Sequence, residues 1–160
     1  MRKETVTRPI LPVCLLVAGH PCLVVGGGQI GERKVGHLLD AEASVVVVGT
    51  SISAPLKALA RSGRIRVVAR AFAERDVAGQ HVVFAATDNK AVNRRVLSAC
   101  RRKGVLCSAV DSLWPEGDFV TPAITRKKGL VVAVSTGGRS CRQARIVKDR
   151  IEKLLASMSD

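Results

Sequence analysis

Residues 21–39 read PCLVVGGGQIGERKVGHLL, and no other part of the 160-residue chain constrains the fold as much. A short apolar run enters three consecutive glycines, Gly26, Gly27 and Gly28, and Gly31 follows, so Gly26, Gly28 and Gly31 match the spacing G-x-G-x-x-G. Beyond them Gly31, Val35, Leu38 and Leu39 fall at i, i+4, i+7 and i+8, one face of a helix. Strand, glycine turn and helix in that order is the context in which this spacing binds a dinucleotide. Each glycine then has a physical job. Gly26 permits the tight turn, Gly28 lets a pyrophosphate approach the backbone, and Gly31 lets the helix pack close to the strand. The N–H groups at the helix start, which have no partner within the helix, would hold the phosphate charge. The competing reading is a purely structural turn.

The rest of the chain supplies the layers such a turn needs. Residues 44–48, SVVVV, form a continuous β-branched run, as expected of a parallel strand covered on both faces. Residues 65–68, 81–85 and 105–110 read as further strands, and residues 10–17, interrupted by Pro12, as a short edge strand. Helices are expected over residues 54–61 and from about residue 89 to Lys103, with a helical turn at 73–78. The long helix is capped by Thr87 or Asp88, turns Val92, Val96, Ala99 and Cys100 inward, and stops at Gly104. Strands alternating with helices at this pace predict an α/β, Rossmann-like parallel sheet with helices on both faces. After Asp111 the pattern changes to a loop, a hairpin around residues 126–129, a second glycine turn at 135–138, and a helix opened by Ser140 with Val147, Ile151, Leu154, Leu155 and Met158 as its stripe. The expected division is a cofactor-binding domain over residues 1–117 and a dimerisation and substrate-contacting region over 118–160, because a hairpin and one helix have too little core to stand alone.

Charge bears on partners. Lys and Arg exceed Asp and Glu by 26 to 13, which implies an anionic partner. The excess is uneven: residues 119–150 hold eight basic residues against Asp149 alone, seven of the thirteen net charges. Aromatics are 2% and there is no Tyr, so a strand binder that stacks bases on aromatic platforms is excluded, and neither helix-turn-helix nor zinc-finger spacing is present. Nucleic acid is therefore not the expected partner. Five cysteines without a C-x-x-C pair read as reduced, mostly buried thiols of a cytoplasmic protein. The polar tail of residues 1–8 and the apolar run after it lack a cleavage site, and no run is long enough to span a membrane. The three histidines are scattered and no metal site is expected.

Several separated segments, taken in order, resemble one family. VVGGGQIGERKVGHLL, AATDN with Asn93, AVD at residues 109–111, FVTPAI, and VAVSTGG followed by a helix with RIEKLL are similar to precorrin-2 dehydrogenase, the dehydrogenase module of siroheme synthase. The resemblance covers about residues 11–155. It implies a Rossmann domain with a dimerisation region, a homodimer, and oxidation of precorrin-2 to sirohydrochlorin with NAD⁺ in siroheme biosynthesis. Some members also insert Fe²⁺, so a bifunctional dehydrogenase and ferrochelatase is an alternative. By this resemblance Gly26, Gly28, Gln29, Ile30 and Gly31 contact the cofactor, with Thr50 and Ser51 after the second strand and Thr87 and Asp88 beside the same crevice. Asp111 matches the family's key aspartate, and Thr136 a hydroxyl in its second glycine turn. Arg139 and Arg142 belong to the basic surface that would meet the carboxylates of the tetrapyrrole.

There are departures. Glu42 stands where the family usually has glycine, Ala71 replaces a common proline, and Cys141 replaces the proline of a Ser-Pro helix start. The sequence ends at Asp160 where many members continue, so iron insertion is expected to be absent or weak. Residues 46–53 contain neither the acid that usually binds the adenine ribose nor an Arg for a 2′-phosphate. The hydroxyls of Thr50 and Ser51 and the backbone are left to that task, and NAD is favoured over NADP. Asp111 itself lies just past what reads as a central strand, where ligands of open α/β sheets bind, and a carboxylate there can take a proton. Its bland alternative is a turn aspartate bonded to its own backbone. A Rossmann module that senses nucleotide without chemistry is the competing class.

Overall fold

The computed structural model describes residues 9–127 and 129–157. The expected polar tail of residues 1–8, Lys128 of the hairpin turn and Met158 of the last stripe lie outside the described residues. The chain divides into two compact units: Cys14–Phe119, and residues 9–13 together with 120–157.

The first unit is a five-stranded parallel sheet of order β3-β2-β1-β4-β5. Its elements are β1 (Pro21–Gly27), α1 (Gln29–Leu39), β2 (Ser44–Ile52), α2 (Ala54–Arg61), β3 (Arg66–Val68), β4 (Val82–Ala85), α3 (Lys90–Lys103) and β5 (Leu106–Ala109). The period of two in each strand builds two cores. Cys22 and Val24 of β1, with Val45 and Val47 of β2, pack with Val35, Leu38 and Leu56 of α1 and α2. Leu23 and Val25, with Val48, pack with Val96, Leu97, Ala99 and Cys100 of α3. Alternate side chains of a strand point to opposite faces, so a run such as SVVVV is buried whichever way each residue points. The order places β1 at the centre, with β2 on one side and β4 on the other, so the chain changes direction across the sheet between β1 and β4.

The ends of α1 and α3 follow local chemistry. Asn89, not Thr87 or Asp88, caps α3: its side-chain oxygen accepts from the N–H groups of Ala91 (2.9 Å) and Val92 (3.2 Å). One residue's difference decides this, because only an oxygen at the position just before the first turn reaches those N–H groups. Gly104 ends the helix in the left-handed region at φ 65°. α1 ends differently: Glu42 adopts φ 58°, with its N–H on the carbonyl of Leu39. A side chain in that conformation costs about 1–2 kcal/mol, which glycine avoids. The substitution noted in the sequence is thus a strained helix exit rather than a missing one. The 3₁₀ turn Glu74–Val77 is held by Asp76, whose carboxylate accepts from both terminal nitrogens of Arg70 (2.6 and 2.8 Å) and from the Ala73 N–H. The Arg70 guanidinium keeps that carboxyl below the usual carboxylate range.

Two strands differ from the expected pattern. Residues 10–17 form no strand: Leu11 and Leu16 are 84% and 86% exposed, and Val17 alone is buried. The apolar composition suggested a strand, but Pro12 has no N–H to give a ladder. β5 is an edge strand, not a central one, since it pairs with β4 alone.

The second unit contains the antiparallel hairpin β6 (Ala123–Lys127) and β7 (Leu130–Val134), paired in register from Ala123↔Val134 to Lys127↔Leu130, and α4 (Cys141–Ser157). The Lys127 ammonium donates to the carbonyl of Leu155 in the last turn of α4, where a cation also suits the helix dipole. The unit buries little of its apolar surface. Leu130, Val131, Val147 and Leu154 are 39% to 62% exposed. Cys22, Cys100 and Cys107 are buried, Cys14 and Cys141 exposed, and all five are free thiols. The hydrogen bond with Cys100 and burial push the Cys107 thiol well above its ordinary range.

Candidate functional site

The strand register gathers the site at the carboxyl ends of β1, β4 and β5. Val25, Ala85 and Ala109 lie level across the three strands. The ladder runs one step further, with the Ala86 N–H on the carbonyl of Val25 (2.7 Å) and the Val110 N–H on that of Ala85 (3.2 Å). Thr87 and Asp111 therefore emerge two residues past the ends of β4 and β5, beside Gly26 and Gly27 at the end of β1. In open α/β sheets ligands bind in that crevice, at the point where strand order reverses.

The glycine turn is tight on one side and open on the other. Gly26 has φ 120°, and a Cβ there would lie 2.3 Å from the carbonyl oxygen of Ala86. A Cβ on Gly31 would lie 2.1 Å from the carbonyl oxygen of Gly26, and one on Gly27 2.4 Å from that of Ser51. Gly28 is the exception. It caps α1 in extended conformation with no side chain, and a Cβ on it would meet nothing within 4 Å. Open space over the N-terminus of a helix, bounded by backbone, fits a pyrophosphate. Gln29 and Ile30 in the first turn are exposed beside it.

Thr50 and Ser51 are exposed and belong to β2 itself, which runs on to Ile52 after a register shift against β1. The strand was expected to stop at residue 48. The continuation is what brings the Ser51 carbonyl against Gly27, so glycine is required at the middle of the triplet as well. The G-x-G-x-x-G spacing leaves that position free and gives no signal for it.

Asp111 and Thr87 meet through a residue not among the expected site residues. Asn93 of α3 is fully buried, and its Nδ2 donates to Asp111 Oδ2 (2.9 Å) and to the carbonyl of Thr87 (2.9 Å). Its Oδ1 accepts from the Thr87 N–H (3.2 Å) and hydroxyl (2.7 Å). The second oxygen of Asp111 accepts from the Leu113 N–H (2.9 Å), so the aspartate does make the local turn considered as its bland reading. Its other oxygen reaches a different element, which a turn alone does not need. The loop beyond is fastened to β5 by the Cys107 N–H on Asp118 Oδ2 and the Asp118 N–H on the carbonyl of Cys107 (2.9 and 2.8 Å). A signal for Asn93 exists in the sequence: residues 93, 96, 97 and 100 share one helix face, and a polar side chain on that buried stripe must be hydrogen-bonded. Asp88 is exposed.

Thr136, Arg139 and Arg142 lie together in the second unit, at the turn from β7 into α4. The Thr136 hydroxyl accepts from the Ser140 N–H (2.9 Å) and donates to the Ser140 carbonyl (3.1 Å), so it closes the turn. Arg139 donates from Nε to the carbonyl of Thr136 (3.0 Å), with its side chain, like that of Arg142, exposed.

Comparisons with known proteins bear on the family and the fold. Residues 13–123 match the family described as "Putative NAD(P)-binding", and residues 128–154 the family described as "Sirohaem biosynthesis protein central". Siroheme synthase of Methylococcus capsulatus is 43% identical over 148 residues, 92% of this chain and 31% of that protein. Siroheme synthase of Methylobacillus flagellatus is 40% identical over 91% of this chain and 31% of its own length. The chain thus spans about a third of the length of these curated relatives. Among solved structures, SirC, precorrin-2 dehydrogenase, superposes with a TM-score of 0.74 at 28% identity, covering 94% of this chain and 72% of that one. With the glycine turn and the whole parallel sheet inside the first matched region, the chain belongs to the family described as "Putative NAD(P)-binding".

Proposed function

We propose that the chain oxidises precorrin-2 to sirohydrochlorin with NAD⁺. The observation that carries this is the Asp111 carboxylate, fixed by donors from two elements in the same crevice as the open glycine turn. In this reading Gly26 to Gly31 hold the pyrophosphate, Gln29 and Ile30 flank it, and Thr50, Ser51, Thr87 and Asp88 border the rest of the cofactor. The cofactor, when bound, accepts a hydride. Removal of a hydride leaves a proton to be taken up, and Asp111 is the general base. Its two bonds occupy two of the roughly four acceptor positions of a carboxylate, leaving the others for the substrate C–H or N–H proton. Arg139 and Arg142, exposed on α4 and the turn before it, are suited to the substrate's carboxylates.

The test is formation of NADH and sirohydrochlorin from precorrin-2 by the purified chain, expected in equal amounts and faster with NAD⁺ than with NADP⁺. Tight NAD⁺ binding with no turnover would favour the nucleotide-sensing class instead.

The reduced thiols accord with a cytoplasmic setting, and among the described residues no helix is long and apolar enough to cross a membrane. The exposed Leu130, Val131 and Val147 of the hairpin and α4 support a homodimer through residues 118–150. Light scattering at micromolar concentration is expected to give twice the chain mass, and a monomer mass there would count against the dimer.

A further inference from the structure

We propose that Asn93 is a positioning residue for the dehydrogenation, holding the Asp111 carboxylate and the Thr87 loop in one fixed geometry; this rests on the reading of Asp111 as general base. The fold creates the need. β5 is an edge strand, and Asp111 stands two residues beyond its last one, so the sheet does not immobilise its side chain. What fixes it is one bond to the Leu113 N–H and one to Asn93.

The amide of Asn93 is suited to this in a way no other side chain at that position would be. Its oxygen faces the Thr87 N–H, which can only donate, and its nitrogen faces a carboxylate oxygen and a carbonyl, which can only accept. The partners therefore dictate which way the amide points. Both hydrogens and both oxygen lone pairs are engaged, and the side chain is fully buried at the N-terminal end of an otherwise apolar stripe. An apolar residue would satisfy the core there. An amide satisfies the core and also couples two loops, one beside the cofactor crevice and one bearing the base. A displacement of about 1 Å in a reacting group is enough to lower a rate ~10²-fold.

Asn93→Asp tests this without changing side-chain volume. It keeps the acceptor toward the Thr87 N–H and hydroxyl and replaces the nitrogen that donates to Asp111 and to the Thr87 carbonyl with a second carboxylate oxygen. With NAD⁺ and precorrin-2 saturating, turnover is expected to fall ~10²-fold while the KM for NAD⁺ changes by less than about threefold. In an Asp111→Asn background the same substitution should lower turnover by less than about threefold, because a residue acting through Asp111 has nothing left to position. The double variant should also melt above the Asn93→Asp single variant, since amide and carboxylate again face each other with places exchanged. Should Asn93→Asp not fold, Asn93→Ser, which is too short to reach Asp111, is expected to show the same kcat loss. Near-native turnover in Asn93→Asp, or a full additional loss in the Asp111→Asn background, would overturn the inference alone. Near-native turnover in Asp111→Asn would overturn the general-base reading and this inference with it.

Discussion

Asp111→Asn is expected to lower turnover by at least ~10²-fold, the usual contribution of a positioned proton acceptor. The variant isolates chemistry from binding. The amide oxygen can still accept from the Leu113 N–H, so the local turn survives. The other terminal group becomes an NH₂ facing the NH₂ of Asn93, where a 2.9 Å hydrogen bond stood. Two donors face to face in a half-buried site destabilise by about 1–2 kcal/mol, so the melting temperature should fall modestly while the protein stays folded. The glycine turn proposed to hold the pyrophosphate is backbone of a different loop, so NAD⁺ affinity should hold. Single-turnover NADH formation, with NAD⁺ titrated separately, separates these effects. Turnover within a few-fold of the native chain would mean that solvent or a substrate carboxylate takes the proton, and that Asp111 only shapes its loop.

Gly28→Val is the second large effect, and it runs the other way: binding is lost and the fold kept. Of the four glycines in the turn, Gly28 is the one at which a Cβ meets nothing within 4 Å, and its extended backbone (φ −89°, ψ −172°) suits a β-branched side chain. The same added atom at Gly26, Gly27 or Gly31 would collide with backbone oxygen at 2.1–2.4 Å, so those positions cannot separate folding from binding. Valine at 28 fills the space a pyrophosphate must enter. Loss of two charge-assisted hydrogen bonds, at about 1.5 kcal/mol each, corresponds to a ~10²-fold weaker Kd. Calorimetric titration of a variant with native melting behaviour provides the check, and unchanged affinity would place the cofactor elsewhere.

The two variants also bear on the division of labour at the site. The glycine turn acts through backbone and empty space, which substitution can only obstruct. In the proposed mechanism Asp111 acts through a side chain held by Asn93, so its contribution is open to graded change. The strained Glu42 exit of α1 lies at the far end of the helix from the cradle and leaves that end to the three required glycines.

Much of this protein was determined by local sequence. The glycine spacing, the β-branched run of β2, the turn residue Gly104 and the periodicity of α3 each have a physical consequence that acts within a few residues: allowed φ, period two, period 3.6. They specify strand, turn and helix in order, and with them a Rossmann-like sheet. They also place Asp111 just past a strand. What they do not contain is the neighbour of each strand. The strand before Asp111 reads as central, yet a strand covered on both faces looks the same at the edge as in the middle, and only pairing distinguishes them. Residues 10–17 show the converse, an apolar run that finds no ladder. The middle glycine of the triplet, required by the Ser51 carbonyl, and Asn93, bonded to Asp111 eighteen positions away, depend on contacts that exist once the sheet has brought β1, β2, β4 and β5 level. Spacing along the chain fixes conformation, but the partner of a hydrogen bond between loops is set by the register of strands, and that is decided by the packed tertiary structure.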